Sequence, residues 1–423
     1  SIPKISAETN TQLLMSSPPP RSSGEEPLFE KKKRKKRSPV LPQTLQSTPV
    51  PSLPDDLLLS SFARISRLHY PALSLVSKSF RSLLASPELY ETRSLLGRTE
   101  SCLYVCLQFS PNPNSRWFTL CRKPNRTLTN GTGKKKKEKS SGHVLVPIAI
   151  PNSPQAHWAG VVTVGSSIYA IGGPINDSPS SSVWVLDCHF HVWRKAPSML
   201  VERENPAANV VDGKIYVAGG VNNFNSSNWI EVFDPKSQIW EIVLCPLAER
   251  YCSTRVDKSA VIDGRIFHMF RNESSVVYYP KEDRWEARRG MCMTILDLGW
   301  SWRSYCVIDN VLYYCDITSG LKWFDFKRGY WINMKGLKRL PKFAGYGCVK
   351  IADCGGKMAV CWTKYFRASG YKESRIWCVV IALERRNGDD EDDEEIWGTV
   401  EWIDPLLTVP NSCTIECVLA ASV

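Results

Sequence analysis

The chain repeats itself with a period of about 46 residues over positions 143–423, and this periodicity constrains its fold most strongly. Four tryptophans recur at spacings of 47, 45 and 46 residues: Trp193, Trp240, Trp285 and Trp331. A second series, mostly aromatic, keeps a similar period: Tyr169, Tyr216, Phe267, Tyr313 and Ala359. Each unit places a turn pair such as Asp212-Gly213 before short apolar runs. Repeats of this length with strand and turn signals predict a β-propeller, in which each unit forms one blade.

The first two repeats resemble kelch repeats. The pairs Gly172-Gly173 and Gly219-Gly220 follow strand-like segments and precede an aromatic residue and a tryptophan, which is the kelch order. The later repeats lack a glycine pair at this place, so their assignment rests on the period and the turn signals. Because glycine permits a positive φ and a close approach of strands, we interpret the glycines and the aromatic series as structural and not as a binding site. We expect the tryptophans to pack between blades.

Five repeats do not account for all of the strand-like sequence. Residues 103–109 and 116–122 look like the last two strands of a further unit, and residues 413–421 look like an opening strand without a successor. We predict that the C-terminal strand completes a blade that begins near residue 102, which closes a ring of six blades and removes exposed sheet edges. The basic segment 124–142 would then connect blades one and two, and the acidic segment 384–395 would be a loop insertion.

The net charge of +12 is unevenly distributed, because two basic low-complexity segments contribute +10, one acidic segment contributes −6, and the remaining residues contribute +8. Residues 1–50, rich in Pro and Ser, hold nine basic and four acidic side chains, and we predict that this tail is disordered. Residues 124–142 hold six basic and one acidic side chain, whereas residues 384–395 hold two basic and eight acidic ones. Further basic stretches at 288–289 and 335–342 would be a basic rim or, as we favour, solvated loops. The charge therefore does not require a nucleic-acid partner, and no direct nucleic-acid contact is expected.

The tail contains a run of seven consecutive cations: Lys31, Lys32, Lys33, Arg34, Lys35, Lys36 and Arg37. Its length and its setting favour a nuclear-localisation signal, and the alternative is a solvated basic tail that no receptor recognises. No aromatic residue is interleaved with the run, so stacking on nucleic-acid bases is not indicated. We expect the protein in the nucleus, in the cytoplasm or in both.

The fifteen cysteines do not suggest a disulfide framework. Their number is odd, they are scattered from Cys102 to Cys417, and no CxxC occurs. Most lie in apolar strand-like runs, where a free thiol behaves as a small hydrophobe, and we predict a reducing compartment. No uninterrupted run of about 18 apolar residues occurs, so no membrane contact through a spanning helix is expected. No secretory signal is visible, but the chain starts at Ser1 and an earlier segment is left open.

Residues 53–96 carry helical patterns. Asp55 and Asp56 precede the apolar run of a first helix, Tyr70-Pro71 starts a second helix, and Ser86-Pro87 starts a third. One face of the predicted second helix holds Leu73, Val76, Phe80 and Leu83. Three short helices bury too little surface to be strongly stable alone, so the pattern by itself predicts a helical cap on the next domain.

Residues 53–90 also resemble an F-box over nearly its full length. The resemblance is carried by the strings LPDDL at 53–57, YPAL at 70–73 and VSKSFR at 76–81. It implies docking onto a Skp-type adaptor, and through it onto a cullin, in an SCF ubiquitin ligase. By this resemblance, the docking surface and its support comprise Leu53, Pro54, Leu57, Ile65, Leu73, Val76, Phe80 and Leu83. Many F-boxes have Trp where this chain has Phe80, and losing the indole N–H is expected to shift the affinity without loss of docking.

The resemblance extends into the repeats, because residues 103–125 are similar to the same region of plant F-box/kelch-repeat proteins. The implied organisation is a disordered basic tail at 1–50, a three-helix F-box at 51–97 and a six-bladed kelch-type β-propeller at 101–423. The fold class is therefore mostly β. The implied function is that of a substrate receptor, whose F-box binds the adaptor and whose propeller binds an unknown protein target for ubiquitination.

No catalytic or metal-binding set stands out in the sequence. Cys188, His189 and His191 form a CHFH string between two strands, but one HxH is more typical of a half-buried or surface pair than of a metal site. No nucleophile elbow, HExxH or phosphate-binding loop occurs. We expect no enzyme activity and no cofactor. The alternatives are a propeller enzyme or small-molecule sensor with a helical cap, and a nuclear scaffold or nucleic-acid binder that uses the basic run.

Overall fold

A computed structural model describes most of the chain between Leu53 and Val423, which belong to one structural unit. The described residues are 53–111, 115–123, 141–148, 153–154, 159–175, 178–270, 274–289, 305–316, 319–338, 340–341, 349–370, 372–388 and 394–423. The predicted disordered tail, its seven-residue basic run and the charged residues at 134–139 and 389–393 lie outside them.

The N-terminal part of this unit is helical. Its elements are α1 at Asp55–Ala63, a 3-10 turn at Arg67–His69, α2 at Tyr70–Leu73, α3 at Lys78–Leu84 and α4 at Pro87–Leu95. The prediction of three helices was wrong for the second, which is divided into α2 and α3. The Ser77 hydroxyl accepts a hydrogen bond from the Phe80 N–H at 3.0 Å and caps α3, so Leu73 and Phe80 lie on different helices. A small apolar core joins the helices through Phe62, Ala63, Tyr70, Leu84 and Leu89.

The rest of the unit is a propeller of six antiparallel four-stranded sheets, as predicted. From the innermost strand outward, blade 1 contains β24 at Cys413–Ser422, β1 at Ser101–Phe109, β2 at Ser115–Arg122 and β3 at His143–Pro147. Blade 2 contains β4 at Gly160–Val164, β5 at Ser167–Ile171, β6 at Val183–Asp187 and β7 at Val192–Ala196. Blade 3 contains β8 at Ala207–Val211, β9 at Lys214–Ala218, β10 at Ile230–Asp234 and β11 at Ile239–Val243.

The remaining blades repeat the same meander, and a short helix, α5 at Ala248–Tyr251, lies between blades 3 and 4. Blade 4 contains β12 at Lys258–Ile262, β13 at Arg265–Met269, β14 at Ser274–Tyr279 and β15 at Arg284–Arg289. Blade 5 contains β16 at Tyr305–Ile308, β17 at Val311–Asp316, β18 at Gly320–Asp325 and β19 at Tyr330–Asn333. Blade 6 contains β20 at Val349–Asp353, β21 at Met358–Tyr365, β22 at Glu373–Asn387 and β23 at Glu394–Pro410.

The C-terminal strand closes the ring, as predicted. β24 pairs antiparallel with β1, and Glu100 and Val423 exchange backbone hydrogen bonds of 2.9 and 3.0 Å at the end of the ladder. The prediction that β1 and β2 are the last two strands of their blade was wrong, because β3 lies outside them. The segment 124–142 consequently connects β2 to β3 within blade 1, and not blade 1 to blade 2.

Blade 6 is the longest blade, because β22 and β23 have 15 and 17 residues. The two strands pair from Glu373 with Pro410 to Asn387 with Glu394. The predicted acidic loop at 384–395 is therefore strand at both of its ends, which corrects that prediction. The long hairpin also explains why Trp402 lies outside the period of the earlier tryptophans.

The periodic tryptophans lie on the outermost strands of blades 2 to 5, where they have the structural role predicted for them. The Trp240 indole N–H donates to the carbonyl of Pro197 at 2.8 Å, and that of Trp285 donates to Leu244 at 2.9 Å. Both carbonyls belong to the connection that leads in from the preceding blade. At Gly220, with φ of +76°, a Cβ atom would lie 2.6 Å from the Glu204 carbonyl oxygen, so the close approach requires glycine.

Candidate protein-docking site

The helical unit exposes apolar side chains at several F-box motif positions. Leu53, Leu57 and Val76 are 59%, 56% and 63% exposed, and Pro54 is exposed as well. Leu75, which the sequence analysis did not single out, is 77% exposed beside Val76. It lies in the break between α2 and α3, which helical spacing alone did not predict. Apolar side chains held in water on a small unit are typical of a surface that a partner covers.

The other predicted residues support this surface from below. Ile65, Leu73, Phe80 and Leu83 are half-buried and pack against the core of the helical unit. The Phe80 ring meets Phe62 edge to face, with ring centroids 4.8 Å apart. The eight predicted residues thus divide into exposed and supporting sets.

A buried arginine, which the sequence analysis missed, holds the helical unit together. Arg93 on α4 is 2% exposed, and its guanidinium donates to the carbonyl of Ile65 at 2.9 Å and to the Tyr70 hydroxyl at 3.0 Å. It also forms a 2.9 Å ion pair with Glu100 at the start of the propeller. The same Glu100 carboxylate accepts a hydrogen bond from the backbone N–H of Arg67. One carboxylate therefore ties two parts of the helical unit to the first strand of the chain.

The CHFH string forms another part of the contact between the propeller and the helical unit. Arg67 donates to the carbonyl of Cys188 at 2.9 Å, and the Tyr90 hydroxyl donates to the carbonyl of His189 at 3.1 Å. The Tyr90 ring packs on the His189 ring at 4.4 Å. Burial lowers the pKa of His191 to about 4, so its imidazole is neutral beside the Tyr104 hydroxyl, 3.1 Å away. Cys188, His189 and His191 of the string therefore all take part in contacts with the helical unit or with Tyr104 of blade 1.

The two rims of the propeller differ in their connections. Because antiparallel strands alternate in direction, the turns from first to second and from third to fourth strand share one rim, which we call the turn rim. The connections from second to third strand and from blade to blade share the opposite rim, which we call the loop rim. In blade 2 the turn rim holds residues 165–166 and 188–191, and the loop rim holds 172–182 and 197–206. The helical unit contacts the turn rim at 188–191, so the longer connections lie on the far side of the ring from that contact.

A channel runs between the innermost strands. A cavity of about 480 Å³ at the loop rim is lined by the starts of β4, β8 and β12, and a second of about 490 Å³ continues toward Asp309 and Asn310 at the turn rim. Its polar side chains bond blades to one another. The Asn209 amide donates to the Ser259 hydroxyl at 2.6 Å, and the Tyr305 hydroxyl donates to the Ser259 carbonyl at 3.0 Å.

Ser141, His143 and Asp404 form a cluster whose composition resembles that of a catalytic triad, but whose geometry differs. The Ser141 hydroxyl and the Asp404 carboxylate both meet Nδ1 of His143, at 2.8 and 3.2 Å, whereas nucleophilic catalysis needs them on opposite ring nitrogens. Burial lowers the pKa of His143, and its ring stacks on Trp402 at 3.9 Å. Asp404, fully buried, also accepts the backbone N–H groups of Ser141 and His143. The cluster therefore fastens blade 6 to blade 1.

Three features of the described part of the chain bear on metal binding, membrane spanning and disulfide bonds. There, no group of three or more His, Cys, Asp or Glu side chains could hold a metal ion. Within the same residues, no helix has both the length and the apolar character needed to cross a membrane. The cysteines that the structure describes are free thiols.

The fold and the motif positions define an F-box joined to a kelch propeller, and comparison with known proteins agrees. A family model described as F-box domain matches residues 50–92, and one described as FKB95, Kelch-repeats domain, matches residues 117–407. The chain belongs to the F-box/kelch-repeat proteins. It is 55% identical over 392 residues to F-box/kelch-repeat protein At4g39550 of Arabidopsis thaliana, covering 90% of this chain and 96% of that relative. It is 52% identical over 385 residues to F-box/kelch-repeat protein At4g39580 of the same plant, covering 90% and 97%.

The membership bears on function at a general level. An F-box joined to a kelch propeller supports the role of a substrate receptor in an SCF-type ubiquitin ligase. The family names point to an adaptor and not to an enzyme.

Proposed function

We propose that this protein links a protein target to an SCF-type ubiquitin ligase. The helical unit binds a Skp-type adaptor, which in turn binds a cullin, and the loop rim of the propeller binds the target. The observation that carries the proposal is the exposure of Leu53, Leu57 and Val76 at F-box motif positions. Each of these side chains still exposes somewhat more than half of its surface, so burying the rest against a partner gains about 1–2 kcal/mol by the hydrophobic effect, which is the main driving force of protein association.

The mechanism is proximity, and the propeller itself breaks no bond. Holding the target beside the conjugating enzyme raises the effective concentration of its lysines. The hydrogen bonds of Arg67 and Tyr90 to the turn rim fix the adaptor-binding unit relative to the ring. The target is thereby held in one orientation, because the helical unit is packed on the propeller and not attached by a long linker.

The test is co-purification of the full chain with a purified Skp-type adaptor. Leu53→Ala/Pro54→Ala should lose adaptor recovery, because both side chains are exposed at the predicted surface. Leu95→Ala is the matched control, because Leu95 is 88% exposed but lies outside the predicted set. Failure of the wild-type chain to recover any adaptor would overturn the proposal.

We also propose that Lys31–Arg37 directs the protein to the nucleus, with a cytoplasmic pool. The support is the uninterrupted run of seven cations in a segment rich in Pro and Ser. The run lies outside the described residues, and the distribution of a tagged protein in which residues 31–37 are replaced by Ala tests the proposal.

A further inference from the structure

One hairpin of the loop rim is strongly basic. The end of β21, its connection and the start of β22, residues 363–375, carry Lys364, Arg367, Lys372 and Arg375 against the single acid Glu373. We call residues 363–375 the basic hairpin. Counted in the same way, with three strand residues on each side of the connection, the corresponding segments of the other five blades have net charges between −1 and +1, against +3 here. The positive charge of the loop rim is thus concentrated at blade 6 among connections of this kind.

The basic hairpin has a defined structure. Lys364 and Arg375 lie directly opposite each other on paired strands, an arrangement of like charges that destabilises a sheet. The Arg375 guanidinium is stacked 3.7 Å above the Phe366 ring, which fixes its plane. At the tip, Lys372 accepts a hydrogen bond through its carbonyl from the Asn411 N–H at 3.1 Å. The Arg375 guanidinium is therefore held at a defined position on the strand, on the same face of the sheet as Lys364.

Three cations of the basic hairpin lack a carboxylate partner among the described residues. Arg367, Lys372 and Arg375 form no ion pair with any acid that the structure describes. Cations elsewhere on the ring are often paired, as Lys281 is with Asp212 and Lys357 is with Glu401. These three cations therefore give the basic hairpin an excess of positive charge that no described carboxylate neutralises.

The acidic segment of the chain itself does not supply that charge. It follows Asn387, which lies fourteen residues beyond Glu373 along β22. At about 3.3 Å per residue, the two ends of this strand are about 46 Å apart. The hairpin between β22 and β23 closes at that far end, where Asn387 pairs with Glu394. The described ends of the acidic segment, Asn387 and Glu394, therefore lie far from the basic hairpin.

We propose that the basic hairpin binds an acidic segment of the target protein. This inference rests on the proposed function, because it names the chemistry of the target that the loop rim receives. A protein carboxylate fits better than a nucleic acid. The Arg375 guanidinium covers one face of Phe366 at 3.7 Å and Lys364 lies 5.8 Å above the Trp377 ring, whereas bases need open aromatic faces on which to stack. A guanidinium with a fixed plane is suited to bidentate binding of a carboxylate.

The test measures the fluorescence anisotropy of a labelled peptide with eight glutamates interspersed with Gly and Ser. All proteins are full-length chains in which residues 31–37 are replaced by Ala, so that the tail does not compete for the peptide. Arg367→Glu/Lys372→Glu changes the basic hairpin. Lys236→Glu/Lys281→Glu makes the same change of charge on the turn rim, where both lysines are exposed.

The basic-hairpin variant should bind the peptide at least tenfold more weakly, and the turn-rim variant should bind within twofold of the parent. A peptide with Gln in place of Glu should bind at least tenfold more weakly than the acidic one. Equal loss in both double variants, or no loss in either, would overturn the inference. Tighter, hairpin-dependent binding of a 20-nucleotide single strand would overturn the assignment to an acidic protein segment.

The same variants separate this inference from the proposed function. The basic-hairpin variant should recover the Skp-type adaptor as well as the parent does, because the helical unit contacts the opposite rim. Adaptor recovery without hairpin-dependent peptide binding leaves the proposed function standing and removes this inference. Hairpin-dependent peptide binding without adaptor recovery removes the proposed function alone.

Discussion

Replacing Glu231 by Ala should destabilise the propeller more than removing any charged side chain from its surface would. Glu231 and Arg203 form an ion pair of 2.9 Å in which both side chains are almost fully buried. Arg203 also donates to the carbonyls of Gly219 and Asn228, at 2.7 and 2.8 Å, and Glu231 accepts the Leu200 N–H at 2.8 Å. Burial lowers the pKa of Arg203, and the Glu231 carboxylate opposes that shift. The pair fastens the connection from blade 2 to the body of blade 3 at the loop rim.

The magnitude follows from leaving one charge alone. Glu231→Ala keeps the Arg203 cation buried but removes the carboxylate that is bonded to it among the described residues. Breaking a buried ion pair in this way costs about 3–5 kcal/mol. A loss of this size is a large fraction of the roughly 5–15 kcal/mol by which domains are stable. The double variant Arg203→Met/Glu231→Ala should lose less than the sum of the single losses, by about 2 kcal/mol or more.

The assay is urea unfolding of the full chain, followed by tryptophan fluorescence, at pH 7.5. The control is Glu401→Ala, which removes an ion pair with Lys357 whose side chains are 34% and 46% exposed and should cost less than about 1 kcal/mol. A loss below about 1 kcal/mol for Glu231→Ala would refute the reasoning, as would single losses that simply add in the double variant.

Three further predictions concern acid stability, ring closure and localisation. Burial lowers the pKa of His268 to about 3 and that of His191 to about 4, below the 6.5 of an exposed histidine, so stability is complete above pH 6.5 and falls as the unfolded chain takes up protons. For each of these two histidines, protonation in the unfolded chain should lower the free energy of unfolding by about 2 kcal/mol between pH 6.5 and 5. Equal urea midpoints of unfolding at pH 7.5 and 5 would contradict this prediction. Asp404→Ala removes the acceptor for the backbone N–H groups of Ser141 and His143, and it should lower the free energy of unfolding by about 2–3 kcal/mol. Hydrogen exchange in β3 should become faster. Protection of β3 equal to that of the wild type would argue against a role of Asp404 in joining blade 6 to blade 1. Replacing residues 31–37 by Ala should move a tagged protein out of the nucleus, and an unchanged distribution would remove the nuclear proposal.

The repeat architecture could be predicted because its signals are local and periodic. Turn pairs such as Asp212-Gly213 precede second strands, and the tryptophan series marks the fourth strands of blades 2 to 5. The sixth blade and the ring closure followed from the strand-like segments left outside the five repeats. The strand order of blade 1 did not follow. The basic segment 124–142 interrupts that blade before β3, and charge patterning favoured a boundary between blades at that point. Charge patterning also led to the prediction of a loop at residues 384–395. The structure instead keeps both ends of this segment in strands, where Asn387 pairs with Glu394.

The candidate site could be predicted as a motif but not as a surface. The F-box resemblance supplied Leu53, Leu57 and Val76, yet helical spacing placed Val76 on a continuous helix that the Ser77 cap divides. Arg93 and Glu100 were missed, because a buried arginine and its partner carry no periodic signal and depend on long-range contact. The basic hairpin was missed for a similar reason. Its cations are spread over thirteen residues in sequence, and only the pairing of β21 with β22 brings Lys364 opposite Arg375.

The affinity of the full chain for a purified Skp-type adaptor tests the central claim most directly. The account predicts saturable one-to-one binding by the wild type. Leu57→Asp should bind at least a hundredfold more weakly, because it places a charge on the exposed apolar surface. Leu95→Asp, at a more exposed leucine outside the predicted set, should bind within twofold of the wild type. No binding by the wild type, or equal binding by the wild type and the Leu57→Asp variant, would contradict the account.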